Sequence, residues 1–244
     1  MKSVNVAMHF LLGDFICAEP SLRAICKKHQ DSKIIVSTPF SKFLAWYPHD
    51  IEVRRLNASP DYRLICDGNG HLVHKVADNS GLVLSDSIPN LNIPVQVSES
   101  NPYYLICAES STSERQWSNE KWQELIKNLD APVIQVGKWN KVVLKEVDTS
   151  YLGKSLSPEN LASLIAGSKC FITVDTGLSH FSASIKKPYI VLMDRIPIEW
   201  RLHNGLTNAI KKNNISEITV EEVLEETSKY LSKNNQLIVD STNK

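Results

Sequence analysis

The 244-residue sequence has little of what marks several specialised protein classes. It contains five cysteines and nine glycines, and its 27 Lys and Arg residues balance 27 Asp and Glu residues. Without net charge there is no general field for nucleic acid or anionic membranes, so any anion site has to be local. Nothing approaches the ~20 apolar residues of a membrane span, and the N-terminus lacks the apolar stretch of a signal peptide. We therefore expect a cytoplasmic protein.

The cysteines and histidines give no metal or disulfide pattern. The cysteines are odd in number, form no C-x-x-C pair, and mostly lie in apolar runs where a thiol behaves as a small hydrophobe. This predicts a reducing compartment, with neither a disulfide scaffold nor a structural zinc site. His71 and His74 lack a Cys or carboxylate partner at metal-site spacing, so we interpret them as part of a solvated loop.

Short runs rich in β-branched residues alternate with segments of helical period along the chain. Nearly continuous apolarity in several runs favours parallel strands covered on both faces, which predicts a doubly wound α/β fold. No G-x-G-x-x-G motif follows the first strand, which argues against a Rossmann dehydrogenase. The predicted strands are 4–10, 33–37, 51–55, 63–66, 103–108, 133–136, 170–174 and 189–193.

Helix boundaries are best marked in the second half of the chain. Thr219 and Glu222 form a capping box, and Gly167 is expected to end a helix with a positive φ. In the first half, Pro20 is expected to open the first helix. Two further helices are predicted to start after the N-capping residues Ser118 and Ser157.

A segment with three prolines and no periodicity, 88–102, is the best linker candidate. It divides the chain into a reduced N-terminal domain, residues 1–96, and a C-terminal domain, residues 97–244. We expect both to be Rossmann-like, with a cleft between them.

The turn after strand 170–174 is the clearest candidate for a binding site. A helix N-terminus there would offer backbone N–H groups and the positive end of its dipole to an anion. Gly177 would let the anion approach, Thr176 and Ser179 would add hydroxyl donors, and His180 could donate to a phosphate oxygen. The alternative is an ordinary helix start capped by Asp175.

The loop after strand 103–108 is a second candidate, because open α/β sheets bind ligands at the carboxyl ends of their strands. Ser110, Ser111 and Thr112 could contact phosphate oxygens, and Arg115 could make a bidentate contact. A solvated serine-rich loop is equally compatible with this stretch.

Gly13 and Asp14, in the loop expected between the first strand and the first helix, occupy the corresponding position of the N-terminal half. A carboxylate in a cleft can act as general base. Glu19 and Glu109 are alternative bases, although surface or capping roles suit them better. Trp139 could stack on a nucleobase or simply fill apolar space.

Taken in this order and spacing, these segments resemble the heptosyltransferase family, inverting glycosyltransferases of the GT-B fold. The matching residues are Gly13-Asp14 with Pro20, Ser110 and Ser111 with Arg115-x-Trp117, and the run 161–188. The last run is the specific one. It is most similar to the type that adds the first heptose to the lipopolysaccharide inner core.

The resemblance implies roles for these residues. Asp14 would be the catalytic base, Arg115 and His180 would stabilise the leaving group, and the Asp175-Thr176-Gly177 turn would hold the donor diphosphate. It further implies an ADP-heptose-like donor, a glycan or lipopolysaccharide acceptor at the inner face of the membrane, and no metal or other cofactor. Two alternatives stay open: a non-catalytic nucleotide-sugar binding protein, and a nucleotide-sugar epimerase or hydrolase of similar fold.

Overall fold

The computed structural model describes residues 2–8, 11–54, 59–97, 102–139, 141–201, 203 and 205–242. Within these residues the chain forms two parallel sheets with helices between the strands. The strands are β1 Ser3–Met8, β2 Lys33–Ser37, β3 Ile51–Arg54, β4 Tyr62–Leu64, β5 Tyr104–Cys107, β6 Val133–Gly137, β7 Thr149–Leu152, β8 Cys170–Val174, β9 Tyr189–Met193 and β10 Thr207–Lys211. The α-helices are α1 Leu12–Lys28, α2 Leu72–Asn79, α3 Asn119–Lys127, α4 Pro158–Gly167, α5 Gly177–Ser184 and α6 Val220–Thr242.

The first sheet has the order β3-β2-β1-β4, and the second has the order β10-β9-β8-β5-β6-β7. All pairs within both sheets are parallel; Val6 pairs with Val36, and Ile106 with Ile172. In each sheet the chain starts in a central strand, winds to one edge and returns to the other side. This is the strand order of a Rossmann sheet, complete in the second half and shortened in the first. The predicted α/β class with two Rossmann-like sheets is therefore confirmed.

All eight predicted strands are present within a few residues of their predicted ends, although residues 9, 10 and 55 lie outside the described part of the chain. The two strands that the prediction missed, β7 and β10, are the outermost strands of the second sheet. Their residues are mostly half-buried, so they lack the continuous apolarity that marks the buried central strands.

The first helix starts earlier than predicted. It begins at Leu12, so Asp14 lies in its first turn rather than in a loop, and Pro20 lies inside the helix. Pro20 removes one helical hydrogen bond. The helix nevertheless continues because its middle, from Phe15 to Leu22, is buried, and apolar burial outweighs local propensity.

Two other local predictions were wrong. Gly167 is the last residue of α4 and has no positive φ; the helix ends instead at Ser168 in an extended conformation. His71 and His74 were predicted to lie in a solvated loop, but His71 is the N-cap of α2 and His74 lies within that helix. The capping box of Thr219 and Glu222 is confirmed, with both reciprocal hydrogen bonds formed at 3.0 and 3.2 Å.

No helix or strand occurs between α2 and β5 in the described residues 80–97 and 102–103, as expected for a linker. The domain boundary between residues 96 and 97 stays a prediction. One hydrophobic core includes residues of both sheets, such as Val6 and Val191. At the junction of the halves, α1 packs against α5, and the rings of Phe43 and Phe181 lie 5.4 Å apart. No helix in the described residues is both long and apolar enough to cross a bilayer.

Candidate active site

The strand order reverses between β1 and β4 in the first sheet and between β5 and β8 in the second. Ligands of open α/β folds bind in the crevices at the carboxyl ends of such strands. The segments that follow these four strands contain Asp14, Cys66, Arg115 and Asp175. The fold therefore brings the three sequence motifs, which lie far apart in the chain, to one region.

The N-termini of α1 and α5 touch at two glycines. A Cβ atom added to Gly177 would lie 3.0 Å from the backbone N of Gly13 and 3.1 Å from the Cβ of Leu12. The sequence predicted that Gly177 would let an anion approach; instead, the first turn of α1 lies directly against Gly177. Glycine is needed here because the two backbones approach too closely for a side chain.

The turn at the start of α5 is capped differently from the sequence-based alternative. Thr176, not Asp175, is the N-cap residue, and it makes no side-chain capping bond. The buried Ser179 hydroxyl donates to the Thr176 carbonyl at 2.6 Å. The proton of Ser179 is thus engaged within the turn, whereas Thr176 and Gly177 are half-buried.

Asp175 anchors two arginines. Its Oδ2 lies 3.3 Å from Nη1 of Arg115 and 3.8 Å from Nε of Arg201. Burial raises the pKa of the Asp175 carboxyl, and the two guanidinium groups oppose this shift. Two guanidinium groups thus lie beside a helix N-terminus, an arrangement that favours an anion, and the nearby Asp194 carboxylate offsets part of their charge.

Arg201 was not found from the sequence. It follows a short 3₁₀ turn, Ile198–Trp200, after the end of β9, in a stretch with no periodic pattern or motif. Only the fold brings it to Asp175. Its side chain is about a quarter exposed, like that of Arg115, so both remain accessible from solvent.

Asp14 is half-buried in the first turn of α1, and its carboxylate is hydrogen-bonded to the thiol of Cys66 after β4. Burial, together with the Asp14 carboxylate, raises the pKa of the Cys66 thiol to about 12, so the thiol is neutral and can donate to the carboxylate. Asp14 is therefore held at the edge of the site by a partner from the same half.

The His180 side chain is buried, in contrast to its predicted exposure toward a phosphate. Its Nδ1 lies 3.4 Å from Sγ of Cys17 and 3.1 Å from Nε2 of His203. Burial, with nearby cations, lowers the pKa of His180 to about 3, and burial lowers that of His203 to a similar value. Both imidazoles are neutral, so neither supplies positive charge to the site at physiological pH.

The loop after β5 separates into a buried and an exposed part. Ser110 is buried and its hydroxyl donates to the Asp175 carbonyl at 3.3 Å, which ties this loop to the α5 turn. Ser111 and Thr112 are exposed beside it. Of the three hydroxyl groups predicted to contact phosphate, those of Ser111 and Thr112 therefore face solvent, and that of Ser110 makes a structural hydrogen bond instead.

The two alternative bases are both buried and occupied by structural hydrogen bonds. Glu109 accepts from the backbone N of Trp139, Lys141 and Val142, and so holds the loop after β6. Glu19 accepts from the Tyr47 hydroxyl and the Asn90 N–H, and so holds the linker. Neither carboxylate is available to a substrate hydroxyl.

Trp139 lies at the carboxyl end of β6, where Glu109 fixes its backbone. Its side chain is 41% exposed, which is unusual for a large aromatic residue. The ammonium groups of Lys138 and Lys141 lie 5.8 and 5.2 Å from its ring centroid. The exposed ring is thus a flat apolar surface at the ligand-binding end of the sheet.

A groove of about 610 Å³ lies at the opposite end of the same sheet. It is lined by residues that precede β5, β6 and β7, together with α4. Because ligands of this fold class bind at the carboxyl ends of the strands, this groove is not the candidate active site.

Comparison with known proteins identifies the family and the fold. A family model, glycosyltransferase family 9 (heptosyltransferase), matches residues 74–222, which include Arg115, Asp175, Gly177 and Arg201 but not Asp14. Lipopolysaccharide heptosyltransferase 1 of Salmonella typhimurium strain LT2 is 27% identical over 106 residues, 40% of this chain and 33% of that enzyme. The chain thus matches about a third of that relative's length.

Two solved structures show the same fold at low identity. The E. coli ADP-heptose lps heptosyltransferase II gives a TM-score of 0.76 at 15% identity, covering 96% of this chain and 100% of that one. E. coli heptosyltransferase WaaC with ADP-2-deoxy-2-fluoro heptose gives 0.66 at 14% identity, covering 95% and 99%. These structures confirm the GT-B-like architecture, and the family model, which matches more than half of the chain, shows that the chain belongs to glycosyltransferase family 9, the heptosyltransferase family.

Proposed function

We propose that this chain transfers a heptose-like sugar from a nucleoside-diphosphate donor to a hydroxyl group of a saccharide acceptor. The observation that supports this most directly is the arrangement at the two switch points. Asp14 lies in the first turn of α1, where Gly13 closely approaches Gly177 at the start of α5, and Asp175, two residues before Gly177, anchors Arg115 and Arg201. A base and an anion site next to each other suit group transfer from a phosphate leaving group.

The donor diphosphate would bind to Arg115 and Arg201 at the N-terminus of α5. These guanidinium groups share a single carboxylate, so phosphate oxygens would complete their neutralisation. Fixed donors aimed at developing charge contribute about 3–4 kcal/mol each to transition-state stabilisation. Two arginines and a helix N-terminus supply this without a metal ion at the phosphates, so we propose metal-independent transfer.

The transfer would be a direct displacement. The acceptor oxygen attacks the anomeric carbon of the donor sugar and forms the new glycosidic bond, while its proton passes to the Asp14 carboxylate. The bond between the anomeric carbon and the phosphate oxygen breaks, and the nucleoside diphosphate leaves with the electron pair. Attack from the face opposite the leaving group inverts the anomeric configuration.

The exposed Trp139 ring would provide the surface for the nucleobase. It lies at the carboxyl end of β6, next to the strand that leads to Arg115. Aromatic stacking on a base contributes about 1–3 kcal/mol and tolerates any base, so Trp139 alone does not select adenine. ADP-heptose is the first donor to test, because a solved relative is described with ADP-2-deoxy-2-fluoro heptose.

The acceptor class follows from the family. We propose a saccharide of the lipopolysaccharide type as acceptor, and hence a reaction at the cytoplasmic face of the membrane that carries it. His180 is buried in this structure, so we assign it a positioning role in α5 rather than contact with the donor.

Titration calorimetry with nucleoside diphosphates, followed by a transfer assay with ADP-heptose, tests this function. Arg201→Ala should weaken diphosphate binding about 10- to 150-fold, as expected for loss of a charge-assisted contact of 1.5–3 kcal/mol. Arg63→Ala, on an exposed position of β4, is the matched control and should bind as the wild type does. Asp14→Asn should keep donor affinity and lose transfer.

Other outcomes would point to the alternatives. Diphosphate binding without transfer to any acceptor would favour a non-catalytic nucleotide-sugar binding protein. Conversion of the donor in the absence of acceptor would favour an epimerase or hydrolase. Absence of binding to every nucleoside diphosphate would refute the proposed anion site.

A further inference from the structure

Three side chains with metal-binding atoms meet below the N-terminus of α5. Cys17 comes from α1, His180 from α5, and His203 from the segment before β10. All three are buried, and their sulfur and nitrogen atoms lie within 4.8 Å of one another. The proposed transfer reaction uses none of these atoms, so the cluster needs a separate explanation.

Hydrogen bonds alone cannot satisfy both contacts of the central histidine. His180 Nδ1 is the atom that lies 3.4 Å from the Cys17 sulfur and 3.1 Å from His203 Nε2. A neutral imidazole nitrogen carries either one proton or one lone pair, so it can make only one full hydrogen bond. Only one of the two close contacts can therefore be a full hydrogen bond, and the other brings two buried metal-binding atoms together without one.

A single bound ion would account for both distances. For tetrahedral zinc with Zn–S of about 2.3 Å and Zn–N of about 2.05 Å, neighbouring ligand atoms lie about 3.6 Å apart for S and N and about 3.4 Å apart for two N atoms. The observed S–N distance of 3.4 Å and the observed N–N distance of 3.1 Å are each within about 0.3 Å of these expected separations. Three such atoms around one point form the base of a tetrahedral site.

The chemistry of the three side chains also suits a metal ion. Neutral imidazole and thiolate are the forms of His and Cys that bind metals. One thiolate with two imidazoles is a ligand set of intermediate softness, which favours zinc over magnesium or calcium.

We propose that Cys17, His180 and His203 bind a structural zinc ion that joins α1 of the N-terminal half to α5 of the C-terminal half. This assignment departs from the sequence-based prediction of no metal site, and it does not depend on the proposed sugar transfer.

Zinc at this position would also orient the His180 ring. Coordination through Nδ1 fixes the remaining proton on Nε2. That edge of the ring faces the start of α1, since a Cβ added to Gly13 would lie 3.1 Å from His180 Cδ2 and 3.8 Å from Nε2. The ion would therefore stabilise the close approach of the two helix N-termini that border the proposed donor site.

Metal analysis of the full chain tests the proposal. Protein purified without a metal-binding tag should contain about one zinc per chain by plasma mass spectrometry. After zinc removal, added Co²⁺ should give the visible bands of a tetrahedral site and a thiolate-to-cobalt charge-transfer band. Cys17→Ala and His203→Gln should lose the ion. Cys107→Ala removes a buried cysteine outside the cluster and should keep it.

Two results would overturn the proposal. One is wild-type protein that takes up neither Zn²⁺ nor Co²⁺ after equilibration with the metal. The other is full Co²⁺ uptake, with an unchanged spectrum, by both Cys17→Ala and His203→Gln. The wild-type measurement decides the question even where a variant fails to fold, and metal content does not require a donor or an acceptor.

Discussion

The contact between the two helix N-termini predicts that Gly177→Ala disrupts both the packing of the halves and the donor site. The added methyl would meet the backbone N of Gly13 at 3.0 Å and the Cβ of Leu12 at 3.1 Å. Gly177 has no positive φ, so the backbone conformation itself accepts alanine. The effect should therefore come from crowding, since backbone atoms cannot turn aside as the end of a side chain can.

The expected magnitude follows from two opposing contributions. Overpacking costs about 1–3 kcal/mol, and replacing glycine by alanine at a compatible position returns about 0.4–1 kcal/mol. The net loss is about 0–2.6 kcal/mol. At roughly 2–4 °C per kcal/mol for a chain of this size, the Tm should fall by as much as about 10 °C. Because α1 must move, diphosphate affinity should fall as well.

Gly167→Ala is the matched control. A Cβ added to Gly167 would lie 3.1 Å from the hydroxyl of Tyr103, which is the far end of a side chain and can move aside. Gly167 also lies at the amino end of the sheet, away from the candidate site. Its stability should change by less than about 1 kcal/mol, and its nucleotide affinity should not change. Differential scanning fluorimetry and titration calorimetry on both variants give the comparison. Equal Tm and equal affinity for Gly177→Ala and the wild type would refute the argument that the two helix starts are in close contact.

Three further substitutions test other parts of the structure. Burial raises the pKa of Glu19 from 4.5 to about 7, so its contribution to stability is complete below about pH 4.5 and is lost as the pH rises to about 7. At 1.36 kcal/mol per pKa unit, this loss of folding stability is about 3 kcal/mol. Urea titrations at pH 5 and pH 8 should show a smaller loss of stability in Glu19→Gln than in the wild type. An identical pH dependence in both proteins would contradict the raised pKa of Glu19. Thr219→Ala removes one bond of the α6 capping box and should lower stability by about 1 kcal/mol in thermal melts, whereas an unchanged melt would show that the cap is not needed. Gly137→Ala would place a methyl 2.5 Å from Oε2 of Glu109, so it should displace the loop that bears Trp139 and weaken nucleotide binding. If calorimetry shows that the variant binds nucleotide as tightly as the wild type, this prediction is refuted.

Much of the fold was accessible from the sequence because the central strands are buried on both faces. Strands such as β8 and β9 are fully buried, and that produces the continuous apolar runs from which they were predicted. The edge strands β7 and β10 and the amphipathic helix α2 carry mixed residues and were missed. The start of α1 was placed too late because Pro20 is a strong local signal that tertiary burial overrides.

The candidate site was accessible in part. The turn at Gly177 was found because a strand, a glycine and hydroxyl residues occur in a short stretch. Arg201 and the cluster around His180 were not found, because their partners lie far away in sequence: Cys17 is 163 residues from His180. Periodicity and local spacing carry no information about such pairs, and the burial that makes His180 neutral depends on α1, α5 and the segment before β10 together.

The hydrophobic core that includes residues of both sheets has a consequence for how the molecule unfolds. Rossmann halves joined only by a linker can melt separately, but here the loss of either half would expose the apolar face of the other, including the ring pair of Phe43 and Phe181. Calorimetry should therefore record one cooperative endotherm for the whole chain, and neither half expressed alone should remain in solution. The shared core should likewise limit any movement of one half relative to the other to small sliding of α1 over α5.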